Sequence, residues 1–179
     1  MIIVSENSFE KAKESAINKL LSSSGNKSDD SLLFEQKAVL EIKKPSEIRI
    51  AKHSLFYRKE KEYYCKLFSK ERINKAVKFM QENIGTRRAV FTFWKESLDL
   101  KHDGESSCLV YVYFRVVDGK LDFAAHMRAN DALRLLLLDF YFCHDLHSKV
   151  ARRLGIRLGK HYHFVDSLHL REKNLKVGS

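Results

Sequence analysis

Four groups of residues in this chain could do chemistry, and each has a plainer reading beside it. Cys108 stands between a turn at 103–107 and a β-prone run, at the edge of an element rather than in its middle. A lone cysteine is commonly a small core hydrophobe; at such an edge its thiolate can also serve as a nucleophile. Arg87 and Arg88 open another β-rich run. Two adjacent guanidinium forks make a phosphate clamp, or else a solvated strand edge. Arg128, Asn130 and Asp131 fall at a strand-to-helix junction, where Asn130 or Asp131 would cap the helix whether or not the place binds a ligand. Asp139 interrupts two apolar runs, Leu135 to Leu138 and Phe140 to Phe142. An ionised carboxylate in such a run is costly unless paired, so this acid points to function more than a surface acid does.

The histidines give no metal signal. His161 and His163 alternate on one expected strand, and His144 and His147 lie three apart on an expected helix. No cysteine or acid joins either pair at ligand spacing, so no metal is expected. There is no glycine-rich phosphate loop and no Gly-x-Ser-x-Gly elbow.

The elements that must position these residues follow from periodicity. Phe9, Ala12, Ala16, Ile17, Leu20 and Leu21 recur at helical steps, which predicts an amphipathic helix over 8–21 with Ser8 as N-cap. The polar stretch 22–31 reads as a surface loop, and 32–42 as a strand that ends before Pro45. Residues 60–83 read as two helices meeting near Ser69, with Gly85 in the C-cap place. Residues 89–94 and 109–117 are β-prone, Asp118-Gly119 is a hairpin turn, and 121–127 is the return strand. The longest apolar helical pattern runs over 130–154 and closes at Gly155; 161–170 then alternates as a last strand. The expected class is α+β, a sheet packed against a long buried helix, in one domain over 1–179.

Composition narrows the partner. The chain has 179 residues, 44% of them hydrophobic, with one proline and seven glycines, which is the make-up of a folded domain. Lys and Arg number 33 against 23 acids, a formal charge of +10. That balance favours an anion, either nucleic acid or a phosphorylated small molecule. The aromatics Tyr111, Tyr113 and Phe114 amid this charge keep a basic nucleic-acid-binding protein as one reading, although strand aromatics usually pack a sheet. Three cysteines without paired spacing point to a reducing compartment, the cytoplasm. No secretory signal opens the sequence, and the most apolar run, 132–143, carries Arg134 and Asp139. It is short of the roughly 20 residues a spanning helix needs, so no membrane is expected.

Taken in order, these motifs resemble the thymidylate synthase family. TRRAVFTFW, from Thr86 to Trp94, resembles its Arg-Arg strand. SSCLVYVYFRVVDGKLDFAAHMRANDA, from Ser106 to Ala132, resembles its nucleophile strand, hairpin and phosphate-binding arginine. GKHYHFVDSLHL, from Gly159 to Leu170, resembles its closing strand. The likeness runs without a gap from Cys108 to His169, more loosely from about residue 70, and before that only in general layout.

The resemblance implies a thymidylate synthase-like mixed sheet, a catalytic Cys108 that attacks C6 of a pyrimidine ring, and Arg128 beside it holding the 5′-phosphate and lowering the thiol pKa. It implies that Arg87 and Arg88 reach a partner subunit's phosphate across a homodimer. Asp131 then lies near pyrimidine and folate, and His169 at the sugar hydroxyl. Asp139 stands where thymidylate synthases carry a uracil-reading asparagine and where the related cytidylate hydroxymethylases resemble an aspartate. A carboxylate accepts well from the cytosine amine, so dCMP or CMP is favoured over dUMP.

Departures from the family pattern are local. Ser106 and Ser107 replace prolines, Leu109 a polar residue, Ala129 a serine, Leu135-Leu136-Leu137 a Gly-Leu-Pro stretch, and Arg171 a sugar-binding tyrosine. The chain ends at Ser179, short of the region that closes many members over folate. The family's catalytic glutamate falls to Glu60 or Glu62. The departures gather on the folate side, while the nucleotide side keeps its cysteine, arginines and histidine. The expected function is C5 methyl- or hydroxymethyl-transfer to a pyrimidine nucleoside monophosphate, with 5,10-methylene-tetrahydrofolate as donor. A nucleotide-binding or regulatory module without turnover is the alternative on the same fold.

Overall fold

The structure, a computed structural model, describes residues 1–23, 32–48, 50, 55–95 and 106–171. Residues 24–31 of the loop expected over 22–31, residues 103–105 of the turn expected over 103–107, and the end of the chain at Ser179 lie outside them.

Strand β1 (Ile2–Glu6) leads into helix α1 (Phe9–Leu21) and strand β2 (Leu32–Ile42). The helix forms as its periodicity predicts: Phe9, Ala12, Ala16 and Leu20 are fully buried, and the Ser8 hydroxyl accepts from the Lys11 N–H at 3.3 Å. Helices α2 (Leu55–Leu67) and α3 (Lys70–Glu82) follow, and Ser69 caps the second by accepting from the Arg72 N–H. The C-cap of α3 is Asn83 rather than Gly85, which has no left-handed backbone to justify that role.

Strands β3 (Val90–Thr92), β4 (Leu109–Val117) and β5 (Lys120–Asp131) make an antiparallel meander. Asp118 and Gly119 both take positive φ, 49° and 70°, as a two-residue hairpin loop requires. Helix α4 (Leu136–Leu154) then carries the chain back to strand β6 (Arg157–Arg171). The helix starts later than its apolar pattern because β5 extends to Asp131. The Asp131 carboxylate accepts from the N–H groups of Leu133 and Arg134, both at 3.1 Å, and so turns the chain first. Gly155 ends α4 at φ 70°.

The described strands form one mixed sheet, ordered β1-β2-β6-β5-β4-β3. Two parallel strand–helix–strand units, β1–α1–β2 and β5–α4–β6, meet where β2 runs antiparallel to β6. Both connecting helices cover the same face, so the expected α+β class with a long buried helix is what the chain adopts. β1 escaped the sequence reading, being only five residues long. No helix among the described residues is long and apolar enough to cross a membrane.

Gly159 belongs to a register shift between β6 and β5. A Cβ there would meet the Leu121 carbonyl oxygen at 2.8 Å and the Asp122 carboxylate, which accepts from the Lys160 N–H. Gly159→Ala is expected to lower stability by about 1–3 kcal/mol, read as a lower urea midpoint.

The core contains imidazoles among its rings. His161 and His163 are fully buried and stack 6.0 Å apart, and Phe9, Phe123 and Phe140 surround His161. His147 donates through Nε2 to the Leu121 carbonyl at 2.6 Å, whereas both ring nitrogens of His161 and of His163 are enclosed without a partner. Among the described residues no three His, Cys, Asp or Glu side chains are arranged to hold a metal ion.

Candidate active site

At one end of the sheet the tips of β4, β5 and β6 and the faces of α2 and α4 enclose a cavity of about 540 Å3. Cys108, Arg128, Asp131, Asp139 and His169 all line it. The sheet register sets the central contact. Between Leu109 and Tyr111 the pairing of β4 with β5 slips by one residue. Without that slip Cys108 would face Ala129; with it, the Arg128 N–H donates to the Cys108 carbonyl at 2.9 Å. A bulge of this kind beside a site re-aims the side chains that follow it.

The Arg128 guanidinium donates to the Ser107 carbonyl through Nε at 3.0 Å and to the Ser106 carbonyl through Nη2 at 3.3 Å. It therefore holds the segment that presents the thiol. From the other side, Ser107 donates to the Leu109 carbonyl at 2.7 Å, and the Tyr63 hydroxyl lies 2.5 Å from Ser107 Oγ. This brace of Tyr63, Ser107 and Leu109 spans Cys108. It fixes by hydrogen bonds a backbone that prolines would fix by ring closure.

Burial pushes the Cys108 thiol above its ordinary pKa. The Arg128 charge draws it down, and the negative charges of Asp139 and Glu60 add to the rise. The lowered value expected from the Arg128 contact is thus not what the resting site has, because desolvation outweighs a single cation.

Asp139 is 4% exposed. Its Oδ1 accepts from the Tyr64 hydroxyl at 2.7 Å and its Oδ2 from Asn130 Nδ2 at 2.8 Å. Burial nevertheless raises its carboxyl to about 8, and the negative charge of Glu60 adds to the rise. Asp131 is spent in part on the turn before α4, so its capping reading holds inside the cavity wall. His169 is tethered by Nδ1, 3.1 Å from the Ser167 carbonyl, beside Asp131 in the β5–β6 pairing.

Arg87 and Arg88 are exposed and do not line this cavity; Arg88 instead borders a shallower depression with Lys75, Lys78 and Phe79. Of the two candidate glutamates, Glu60 lines the cavity, whereas Glu62 is exposed and paired with Lys66. Of the three consecutive leucines at 135–137 only Leu135 reaches the cavity. Lys59, Arg134 and Arg171 add positive charge to the wall. The sequence alone does not mark Tyr63, Tyr64 or Lys59 as site residues. Tyr64 reads as core from its helical spacing, and nothing in the sequence shows that its hydroxyl meets Asp139.

A comparison with protein families bears on this geometry. The family model described as thymidylate synthase matches residues 52–177. The chain belongs to the thymidylate synthase family. The matched region contains every cavity residue named above together with β3 to β6 and α4, whereas β1, α1 and β2 precede it. Thymidylate synthase of Streptococcus mutans is 30% identical over 102 residues, which cover 55% of this chain and 37% of that protein. Thymidylate synthase of Streptococcus pneumoniae is 29% identical over the same length, with the same coverage. The match thus spans little more than a third of the length of these curated relatives.

Proposed function

We propose that the chain is a C5 transferase for a pyrimidine nucleoside monophosphate, with Cys108 as nucleophile and dCMP or CMP favoured over dUMP. The observation that carries this reading is the convergence of Cys108, Arg128, Asp131, Asp139 and His169 on one cavity whose wall is rich in arginine. The phosphate would lie against Arg128 and its cationic neighbours Arg134 and Arg171, which offer forked donors to an oxyanion. His169 would meet the sugar hydroxyl, and Asp139 the pyrimidine edge.

In the chemistry, Cys108 Sγ loses its proton and adds to C6 of the ring. A C–S bond forms, and the C5–C6 π electrons move through C4 onto N3 of a cytosine, or onto O4 of a uracil, leaving C5 nucleophilic. Glu60, on α2 and in the cavity wall, is placed to exchange a proton with the ring substituent or its water. Methylene-tetrahydrofolate would be the co-substrate whose methylene carbon bonds to C5; tetrahydrofolate would then leave, and the exocyclic methylene would take water to become hydroxymethyl, or a hydride from the folate to become methyl. Leu135, Met127 and Tyr63 give the cavity an apolar wall against which a flat ring fits. Elimination of the C5 proton and of Cys108 restores the ring and the thiol.

The experiment is release of tritium from C5-labelled dCMP and dUMP, each with and without methylene-tetrahydrofolate. Release from either nucleotide supports a live nucleophile, and faster release from dCMP supports the cytosine reading. Tight nucleotide binding without release in any tube would favour a binding module without turnover, which the raised thiol of Cys108 already suits.

A homodimer in the cytoplasm completes the proposal, with Arg87 and Arg88 of each subunit serving the other's phosphate. The face of the sheet opposite α1 and α4 supports it. There Val90, Thr92, Tyr111, Tyr113, Ala124, Tyr162 and Phe164 line a concavity of about 600 Å3. An apolar sheet face of this kind suits an isologous contact with a second copy. It also uses Tyr111 and Tyr113, while Phe114 is only 1% exposed and packs in the core, which favours the dimer over stacked bases as the role of this face. A single sedimenting species at twice 20.9 kDa is expected at micromolar concentration; a strict monomer would refute the sharing of arginines.

A further inference from the structure

Lys13 on α1 reaches the candidate site from behind. Helix α1 packs on α4 through Phe9, whose ring lies 5.2 Å from that of Phe140 and 5.2 Å from that of His144. Lys13 stands about one helical turn further along α1. It is half-buried, and its Nζ donates to the Leu133 carbonyl at 2.9 Å. Burial lowers the Lys13 pKa, and the nearby negative charge of Asp131 opposes that fall.

The contact falls on the turn that gives the cavity three of its wall residues, Asp131, Arg134 and Leu135. Each N–H from Ala132 to Leu135 is committed. Ala132 donates to the His169 carbonyl at 3.0 Å, Leu133 and Arg134 to the Asp131 carboxylate at 3.1 Å, and Leu135 to the Asp131 carbonyl at 3.0 Å. These bonds close the turn on itself and on β6. Lys13 adds a tie to α1, so that Leu133 is held through its N–H by Asp131 and through its carbonyl by a different element. A charged donor makes one of the stronger hydrogen bonds. Helix α1 precedes the region 52–177 that the family model matches, so this tie enters the site from outside it.

We propose that Lys13 is a positioning residue for the candidate site. Acting through the Leu133 carbonyl and Asp131, it sets where the turn holds Asp131, Arg134 and Leu135, and so makes the N-terminal helix part of the nucleotide pocket. The inference rests on the nucleotide reading above. It differs from a packing role because the core under α1 is built by Phe9, Ala12, Ala16 and Leu20, all fully buried, and stays in place when Lys13 is changed.

The test is equilibrium binding of dCMP and dUMP to the full chain in wild type, Lys13→Met and Lys13→Arg, with urea midpoints measured alongside. Methionine keeps an unbranched stem and a good helix propensity but neither charge nor donor, whereas arginine keeps both. Lys13→Met is expected to weaken the better-bound nucleotide roughly tenfold while the midpoint moves little, and Lys13→Arg to restore most of the affinity. Amide exchange at Leu133, Arg134 and Leu135 should quicken in Lys13→Met and not in Lys13→Arg. If Lys13→Met does not fold, Lys13→Gln, shorter and uncharged, takes its place with the same expectation. Unchanged nucleotide affinity in the uncharged variant overturns the proposal, whatever the midpoint does. So does a loss of affinity that comes with a large fall in midpoint and that Lys13→Arg does not repair, which marks general loosening. Failure of wild type to bind either nucleotide overturns the nucleotide reading itself, and this inference with it.

Discussion

Cys108→Ala is expected to reduce tritium release from C5-labelled nucleotide to background, a loss of about a thousandfold or more. No neighbouring side chain can take over: the other cysteines, Cys65 and Cys143, are respectively exposed and buried away from the cavity lining. The pH dependence separates this role from a structural one. Burial holds the Cys108 thiol above its ordinary value, so the thiolate is the minor species at neutral pH. Below its pKa the thiolate fraction rises about tenfold per pH unit, and release should climb with it past pH 9. Arg128→Gln removes the one cation credited with lowering that thiol. It should shift the climb to higher pH and weaken nucleotide binding together. A flat profile across pH 7–9.5 would mean that Cys108 is not the group whose ionisation limits the reaction.

The second large effect is on stability. His147 is held at about 4 and His163 at about 3, both by burial, and burial also drives His161 well below its ordinary value. Each is neutral in the folded protein and free to take a proton at about 6.5 once unfolded. Their contribution is fully present above pH 6.5 and is lost as pH falls toward the folded values. Asp139 acts with the opposite sign. Its carboxyl, raised to about 8, favours the folded state at low pH and loses that contribution as the pH rises from its ordinary value of 3.8 to about 8. Below pH 6.5 these three and His144, which burial also lowers, oppose Asp139 and Asp122, which burial raises, and this leaves a slope of about 3 kcal/mol per pH unit. Against the 5–15 kcal/mol typical of a domain, unfolding is expected to begin at about pH 5, with greatest stability near pH 6.5. Urea midpoints at pH 5, 6.5 and 8 measure this. His161→Phe, which keeps the ring among Phe9, Phe123 and Phe140 and deletes two unpartnered nitrogens, should raise the midpoint at pH 5 most. Equal midpoints at pH 5 and 6.5 would show that these rings find partners or water.

Local chemistry made part of the architecture legible in advance. Ser8 before an apolar repeat, Asp118-Gly119 between two β-prone runs, and Gly155 after the last helical turn each have a physical role that depends on a few neighbours. The cysteine, Arg128, Asp131, Asp139 and His169 could be named because their spacing carries the family resemblance, and they line one cavity. What stayed hidden depends on tertiary packing. Glu60 and Glu62 are two apart on a helix, so they point to nearly opposite sides, and only the docking of α2 decides which meets the cavity. The thiol pKa was expected to be low from its cationic neighbour, but burial is a property of the folded surroundings. The apolar pattern of α4 extends back across Asn130 and Asp131, where strand pairing with β6 takes precedence over helical propensity.

The one-residue slip in β4 has a consequence for how this protein tolerates change. Substitutions near Val110 leave the count of residues between the Asp118-Gly119 turn and Cys108 intact, and with it the pairing of Cys108 with Arg128. Inserting a residue there would not, because side chains alternate between faces with every step along a strand. The nucleophile would then stand opposite Ala129 while the hairpin and core below it stayed in place. The vulnerable quantity in this strand is therefore its length, and variation among related chains should show freedom of residue type at this point but little freedom in spacing.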